Sequence, residues 1–218
     1  MRTLTKEYRD KITPVEAIAI LKKGNERFVN NLKMNRNLLQ QVNETSSGQH
    51  PFAVILSCID SRTSAELIFD QGLGDIFSVR IAGNIQNPDI LGSIEFSCKV
   101  AGAKVVVVLG HTKCGAVKGA CDHVTLGNLT TLLEKLKPAV DGETSISKDR
   151  NANNSEFVEK VASLNVRITK SQIVENSPVL KEMIQKGEIA LAGGMYDVET
   201  GIVEFYDDEV VTSETIGQ

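Results

Sequence analysis

The sequence predicts an α/β fold with a central, mostly parallel sheet flanked by helices, an N-terminal helical arm and a C-terminal hairpin-like strand pair. Two short, unbroken apolar runs, FAVILS at 52–57 and KVVVVL at 104–109, have the length and composition of strands buried on both faces. Helix-length segments separate these and the other strand-like runs, which is the order expected of parallel strands joined by helical crossovers. Hydrophobic residues make up 41% of the chain and charged residues 24%, enough for a sizeable core, and with no Trp and 5% aromatics that core is mainly aliphatic. We expect one domain over 1–218, with an arm at 1–45 and an α/β core at 46–218.

Residues 14–33 place Val15, Ile18, Leu21, Phe28 and Leu32 near helical spacing, behind Thr13 as cap and Pro14 as first helical residue, with Gly24 weakening the middle. Polar residues rich in Asn and Gln at 34–51 read as a loop. After the first strand, a helix is expected from Ser64 to Asp70, a strand from Ile76 to Ile81, and a helix from Pro88 to Ala101. Four consecutive valines make 104–109 the strongest strand. Helices follow at 114–121, 126–137, 154–172 and 178–186, and 141–155 is a polar loop. The closing IALAGGMYDVETGIVEFY reads as two strands joined by a turn near Glu199 to Gly201.

A net charge of −4 with scattered Lys and Arg argues against a nucleic-acid partner. The first 28 residues lack a signal-peptide apolar stretch, and no run approaches the ~18 residues of a membrane span, so no membrane partner is expected. Four widely spaced cysteines do not form a secreted disulfide framework. They suit metal binding or burial in a reducing cytoplasm, the expected location.

Two motifs carry the chemistry. Cys58-Ile59-Asp60-Ser61-Arg62 follows the first strand, and His111-Thr112-Lys113-Cys114-Gly115 follows the valine-rich one. Both sit past the carboxyl ends of expected parallel strands, where open α/β sheets bind ligands. Two thiolates and an imidazole form a set suited to zinc, with a fourth position open. Singly, a strand-end cysteine is usually a small buried hydrophobe. Two such motifs at equivalent strand ends make coincidence the poorer explanation. Asp60 can accept a hydrogen bond from a nucleophile there, with Arg62 fixing the carboxylate and keeping it ionised, although an Asp beside an Arg is most often a structural pair.

CIDSR and HTKCG, with RIAGN between them, resemble the β-class carbonic anhydrases, and the similarity runs from about Pro14 to Tyr206. The resemblance implies one Zn2+ per chain on Cys58, His111 and Cys114, with an Asp60–Arg62 dyad beside it. It implies reversible hydration of carbon dioxide to bicarbonate and a proton, in a homodimer or homotetramer whose N-terminal arm packs on a partner. It also implies substrate-binding roles for Gln49, Phe77 and Gly83, and for Phe96, which stands where many members have a tyrosine. Their bland readings are a solvated loop for Gln49 and core packing for the phenylalanines. Where some bacterial members build a regulatory bicarbonate pocket on a tryptophan, this chain has Ile55, so that pocket is expected to be missing or weak.

Three other readings compete. Relatives on the same scaffold hydrolyse carbon disulfide or carbonyl sulfide. A structural zinc site would have four closed ligands, with Asp60 as the fourth. A dinucleotide site is poorly supported, because GHTKCG does not fit G-x-G-x-x-G. His50, His123, Cys98 and Cys121 read as ordinary, and Lys113 as either a solvated charge or an attractor of bicarbonate.

Overall fold

The structure is a computed structural model that describes residues 3–216. Its five-stranded sheet has the order β2-β1-β3-β4-β5, where β1 is Ala53–Ser57, β2 Ile76–Arg80, β3 Val105–His111, β4 Ala190–Tyr196 and β5 Val203–Phe205. The first four strands pair in parallel and β5 closes antiparallel on β4. Every residue of β1 and β3 is buried, as their unbroken apolar runs require when helices cover both faces.

Side-chain alternation sorts the two cores. Ile55 and Val107 face one side with Phe52 and Phe69, where Ala17, Ile18 and Leu21 of α2 (Pro14–Val29) cover them. Val54, Leu56, Val106 and Val108 face the other. Helices α5 (Pro88–Glu95), α9 (Ser155–Asn176) and α10 (Pro178–Gln185) supply Ile94, Val166, Ile173 and Leu180 there. The arm thus includes α1 (Lys6–Lys11) and an α2 built into this chain's own core, which leaves Val15 outermost and exposed. A capping box of Thr13 and Glu16 opens α2. Gly24 proves a packing requirement: a Cβ there would lie 1.8 Å from the Phe69 carbonyl oxygen.

Several boundaries differ from the sequence reading. Within the expected loop at 34–51 lies α3 (Leu38–Thr45), capped by Asn37 and pinned where the buried Gln41 side chain accepts from the Leu73 N–H at 3.1 Å. Its Leu38, Leu39 and Val42 share one face but are exposed, and so short a stripe amid Asn and Gln reads as polar coil. A short α4 (Ala65–Ile68) follows β1. The helix expected over 88–101 ends as α5 at Glu95 and continues as a wider π turn over Phe96–Val100. The 126–137 helix is two, α7 (Gly127–Glu134) and α8 (Lys137–Gly142). Pro138 lacks an N–H and its ring would meet the carbonyl four residues back, that of Glu134, where α7 stops. After β3 comes α6 (Gly115–Cys121). Helix α9 runs to Asn176, and Ser177 before Pro178 takes the extended conformation that ends it.

Candidate metal centre

β1 and β3 are parallel neighbours with Ser57 abreast of Leu109, so their carboxyl ends coincide. Cys58 is the first residue past β1, His111 the last of β3, and Cys114 immediately precedes α6. The potential ligand atoms of Cys58, His111 and Cys114 all lie within 4.8 Å of one another, the one such cluster among the described residues. The two sulfurs are 4.0 Å apart. All three residues are at most 4% exposed.

The imidazole is oriented for ligation. His111 Nδ1 donates to the Thr112 carbonyl at 2.9 Å, which leaves Nε2 as the lone-pair nitrogen. Nε2 is buried and has no hydrogen-bond partner. An orphaned acceptor beside two buried thiols is costly unless something electrophilic satisfies it. Two sulfurs and one nitrogen in this spacing fit a zinc ion.

The thiols act as a pair. A hydrogen bond from Cys114 is the main force drawing the Cys58 thiol below its ordinary range against burial, helped by the Gly83 N–H. The neighbouring Cys58 sulfur and burial push Cys114 up, and the Ala116 and Val117 N–H groups only partly oppose them. The two sulfurs therefore titrate as a pair, and a cation bound between them would replace the protons they hold.

Asp60 and Arg62 form a bidentate pair beside the cluster. Asp60 Oδ1 accepts from Arg62 Nε at 2.9 Å and from its backbone N–H at 2.9 Å, and Oδ2 accepts from Nη2 at 2.8 Å. The Arg62 guanidinium holds the carboxyl well below the usual carboxylate range, although burial works the other way. Oδ2 lies 4.0 Å from His111 Nε2, so the dyad borders the orphaned lone pair.

Two residues that sequence reasoning missed hold this turn. Thr63 Oγ1 donates to the Cys58 and Asp60 carbonyls at 3.0 and 2.8 Å. Arg80 donates to the same two carbonyls at 3.0 and 2.6 Å. Arg80 opens the RIAGN run and ends β2, abreast of Ser57, so a charged residue closing a strand next to the ligand strand was the available signal.

Gly83 sits in this centre with φ +71°, and its N–H points to Cys58 Sγ at 3.4 Å. Buried Asn165 donates to its carbonyl at 2.8 Å. Ile85 packs with Cys58, Cys114, Val117 and Leu136 in an apolar cluster. Lys113 pairs with Glu199 at 2.6 Å. Gln49 lies elsewhere in the chain: it precedes β1 and lines a shallow cleft with Thr45 and Gly74, at the amino end of the sheet. Phe77 meets Phe96 edge-on at 6.2 Å, beside the outer edge of β2. His50 and His123 do not join the cluster, while Cys98 and Cys121 are buried, free thiols.

The carbonic anhydrase family model matches residues 53–203. The chain is 37% identical over 201 residues to carbonic anhydrase 2 of Mycobacterium tuberculosis, covering 86% of this chain and 90% of that protein. It is 35% identical over 197 residues to the carbonic anhydrase of Mycolicibacterium smegmatis, covering 88% and 92%. Among solved structures, a β-carbonic anhydrase of Aspergillus fumigatus superposes with a TM-score of 0.67 at 30% identity, covering 88% of this chain and 90% of that one. A tetrameric β-carbonic anhydrase of Sordaria macrospora gives 0.64 at 27% identity, covering 74% and 83%.

Proposed function

The chain belongs to the β-class carbonic anhydrases, and from that premise we propose which of its residues carry the reversible hydration of carbon dioxide to bicarbonate and a proton. Cys58, His111 and Cys114 hold zinc; the observation that carries this is the buried, partnerless His111 Nε2 facing two clustered thiols. Zinc in a carbonic anhydrase acts as a Lewis acid that makes a water nucleophilic near neutral pH.

The chain's own residues do the rest. Asp60, ionised under the grip of Arg62, only accepts hydrogen bonds, so its Oδ2 would accept one from the attacking oxygen, which keeps its proton and has its lone pair turned toward carbon. Gly83 N–H and Asn165 fix the Cys58 side of the site. Ile85 and its apolar neighbours offer an uncharged wall to a nonpolar substrate.

The remaining substrate groups come from a second copy. β2 is an edge strand, and Phe96 beside it is 52% exposed. A two-fold pairing across that edge runs the partner's β2 antiparallel to this one, which carries the amino end of the second copy's sheet to this chain's carboxyl end. Gln49 and Phe77 of the second copy then meet the zinc site, with Phe96 at the seam. We assign a homodimer as the smallest complete unit, able to pair into a tetramer. Four free cysteines suit a reducing cytoplasm as its compartment.

Stopped-flow carbon dioxide hydration at mildly alkaline pH, on zinc-loaded and metal-stripped protein, tests the assignment. Fast hydration that returns with zinc is expected. A zinc-loaded chain without activity overturns the carbon dioxide reading in favour of a sulfur-containing analogue or a site closed by Asp60.

A further inference from the structure

His111 and Cys114 are joined by Thr112 and Lys113 alone, and Lys113 takes φ +57° in crossing from β3 to α6. A lysine resists that left-handed conformation, so the loop needs external restraint. Thr112 is tied on both sides: its N–H donates to the Tyr196 carbonyl at 2.9 Å, and its Oγ1 accepts from Val198 N–H at 3.0 Å. The Lys113 side chain pairs with Glu199, but the two are 47% and 66% exposed and such a pair restrains little.

The peptide N–H of Lys113 is different. It donates to Glu159 Oε1 at 2.8 Å, across 46 residues of sequence. The other carboxylate oxygen, Oε2, is buried with no hydrogen-bond partner. Keeping a carboxylate partly dry for a single peptide N–H is costly, yet a charge-assisted bond of this type is stronger than a neutral one. Helix α9 carries both Glu159 and Asn165, whose amide holds Gly83 behind Cys58. One helix therefore reaches both halves of the ligand set.

We propose that Glu159 is a positioning residue for the metal centre: its carboxylate holds the Lys113 peptide in the left-handed conformation and so sets the disposition of His111 against Cys114. The proposal rests on the zinc assignment above. Groups that orient metal ligands from one layer out typically change metal affinity or activity 10- to 100-fold when removed.

The test compares Glu159→Ala and Glu159→Gln in the full chain. One readout is zinc release to a chromogenic chelator. The other is amide hydrogen exchange at Lys113 in metal-stripped protein, with the thermal midpoint as a folding control. Glu159→Ala should release zinc about tenfold faster or more and expose the Lys113 amide, at a nearly unchanged midpoint. Glu159→Gln keeps an acceptor and should recover most of both. Unchanged exchange and release in Glu159→Ala overturns the proposal, as does a Glu159→Gln variant equally impaired. A parent chain that takes up no zinc refutes the metal assignment, and Lys113 exchange then decides the role of Glu159 by itself.

Discussion

Replacing Gly83 with alanine probes the backbone that closes on Cys58. Its φ of +71° is left-handed, where a side chain costs about 1–2 kcal/mol. A Cβ there would also stand 3.0 and 3.3 Å from the two terminal carbons of Leu136 and 3.5 Å from Ala116 Cβ. Leu136 is fully buried, so it must shift within a packed cluster, at about 1–3 kcal/mol. The sum is about 2–5 kcal/mol. At roughly 2–4 °C per kcal/mol for a chain of this size, the thermal midpoint should fall by about 4–20 °C. Metal-stripped protein is the sample to melt, so that altered zinc affinity does not enter. If Gly83→Ala melts within about 1 °C of the parent, the steric and conformational argument fails.

Three further outcomes are expected. Asp60→Asn should keep its zinc by elemental analysis yet lose most hydration activity, because an amide can donate to the attacking oxygen instead of accepting from it; parental activity would reduce Asp60 to a structural role. Subunits carrying Gln49→Ala and subunits carrying Asp60→Asn should each be nearly inactive, and co-expression should restore activity, since a mixed dimer rebuilds one complete site; no restoration would refute the contribution of Gln49 from a second copy. Asp70, with a side chain 2% exposed, is pushed up by burial, but bonds from Arg27, Arg36 and the Met34 N–H outweigh this and leave its pKa lowered. A folded pKa below the unfolded value means its stabilisation is full above ~3.9 and disappears as pH falls through the folded value. Thermal midpoints measured into acid should therefore drop more steeply for the parent than for Asp70→Asn, and parallel curves would contradict that linkage.

The strand runs around Cys58 and His111 were legible because burial on both faces demands unbroken apolar sequence, and a valine run has few other homes. Helix α3 was not, since its short face of leucines and valine is exposed rather than buried and its order depends on Gln41 reaching Leu73. The break between α7 and α8 is encoded locally, in Pro138. Glu159 gave no signal: it is one charge among several along a helix, and only the approach of α9 to the Lys113 loop distinguishes it.

By itself, the sequence determined the donor types, their order along the chain and their place at strand ends, since ligand chemistry is a property of side chains and strand ends are set by local patterning. Tertiary structure decided the rest. Parallel register brought two sulfurs to 4.0 Å, a bond to the Thr112 carbonyl left the His111 Nε2 lone pair free, and Arg80 closed on the Asp60 turn from a neighbouring strand. It also set Gln49 at the far end of the same sheet. Those distances depend on how separate segments pack, and no local pattern encodes them.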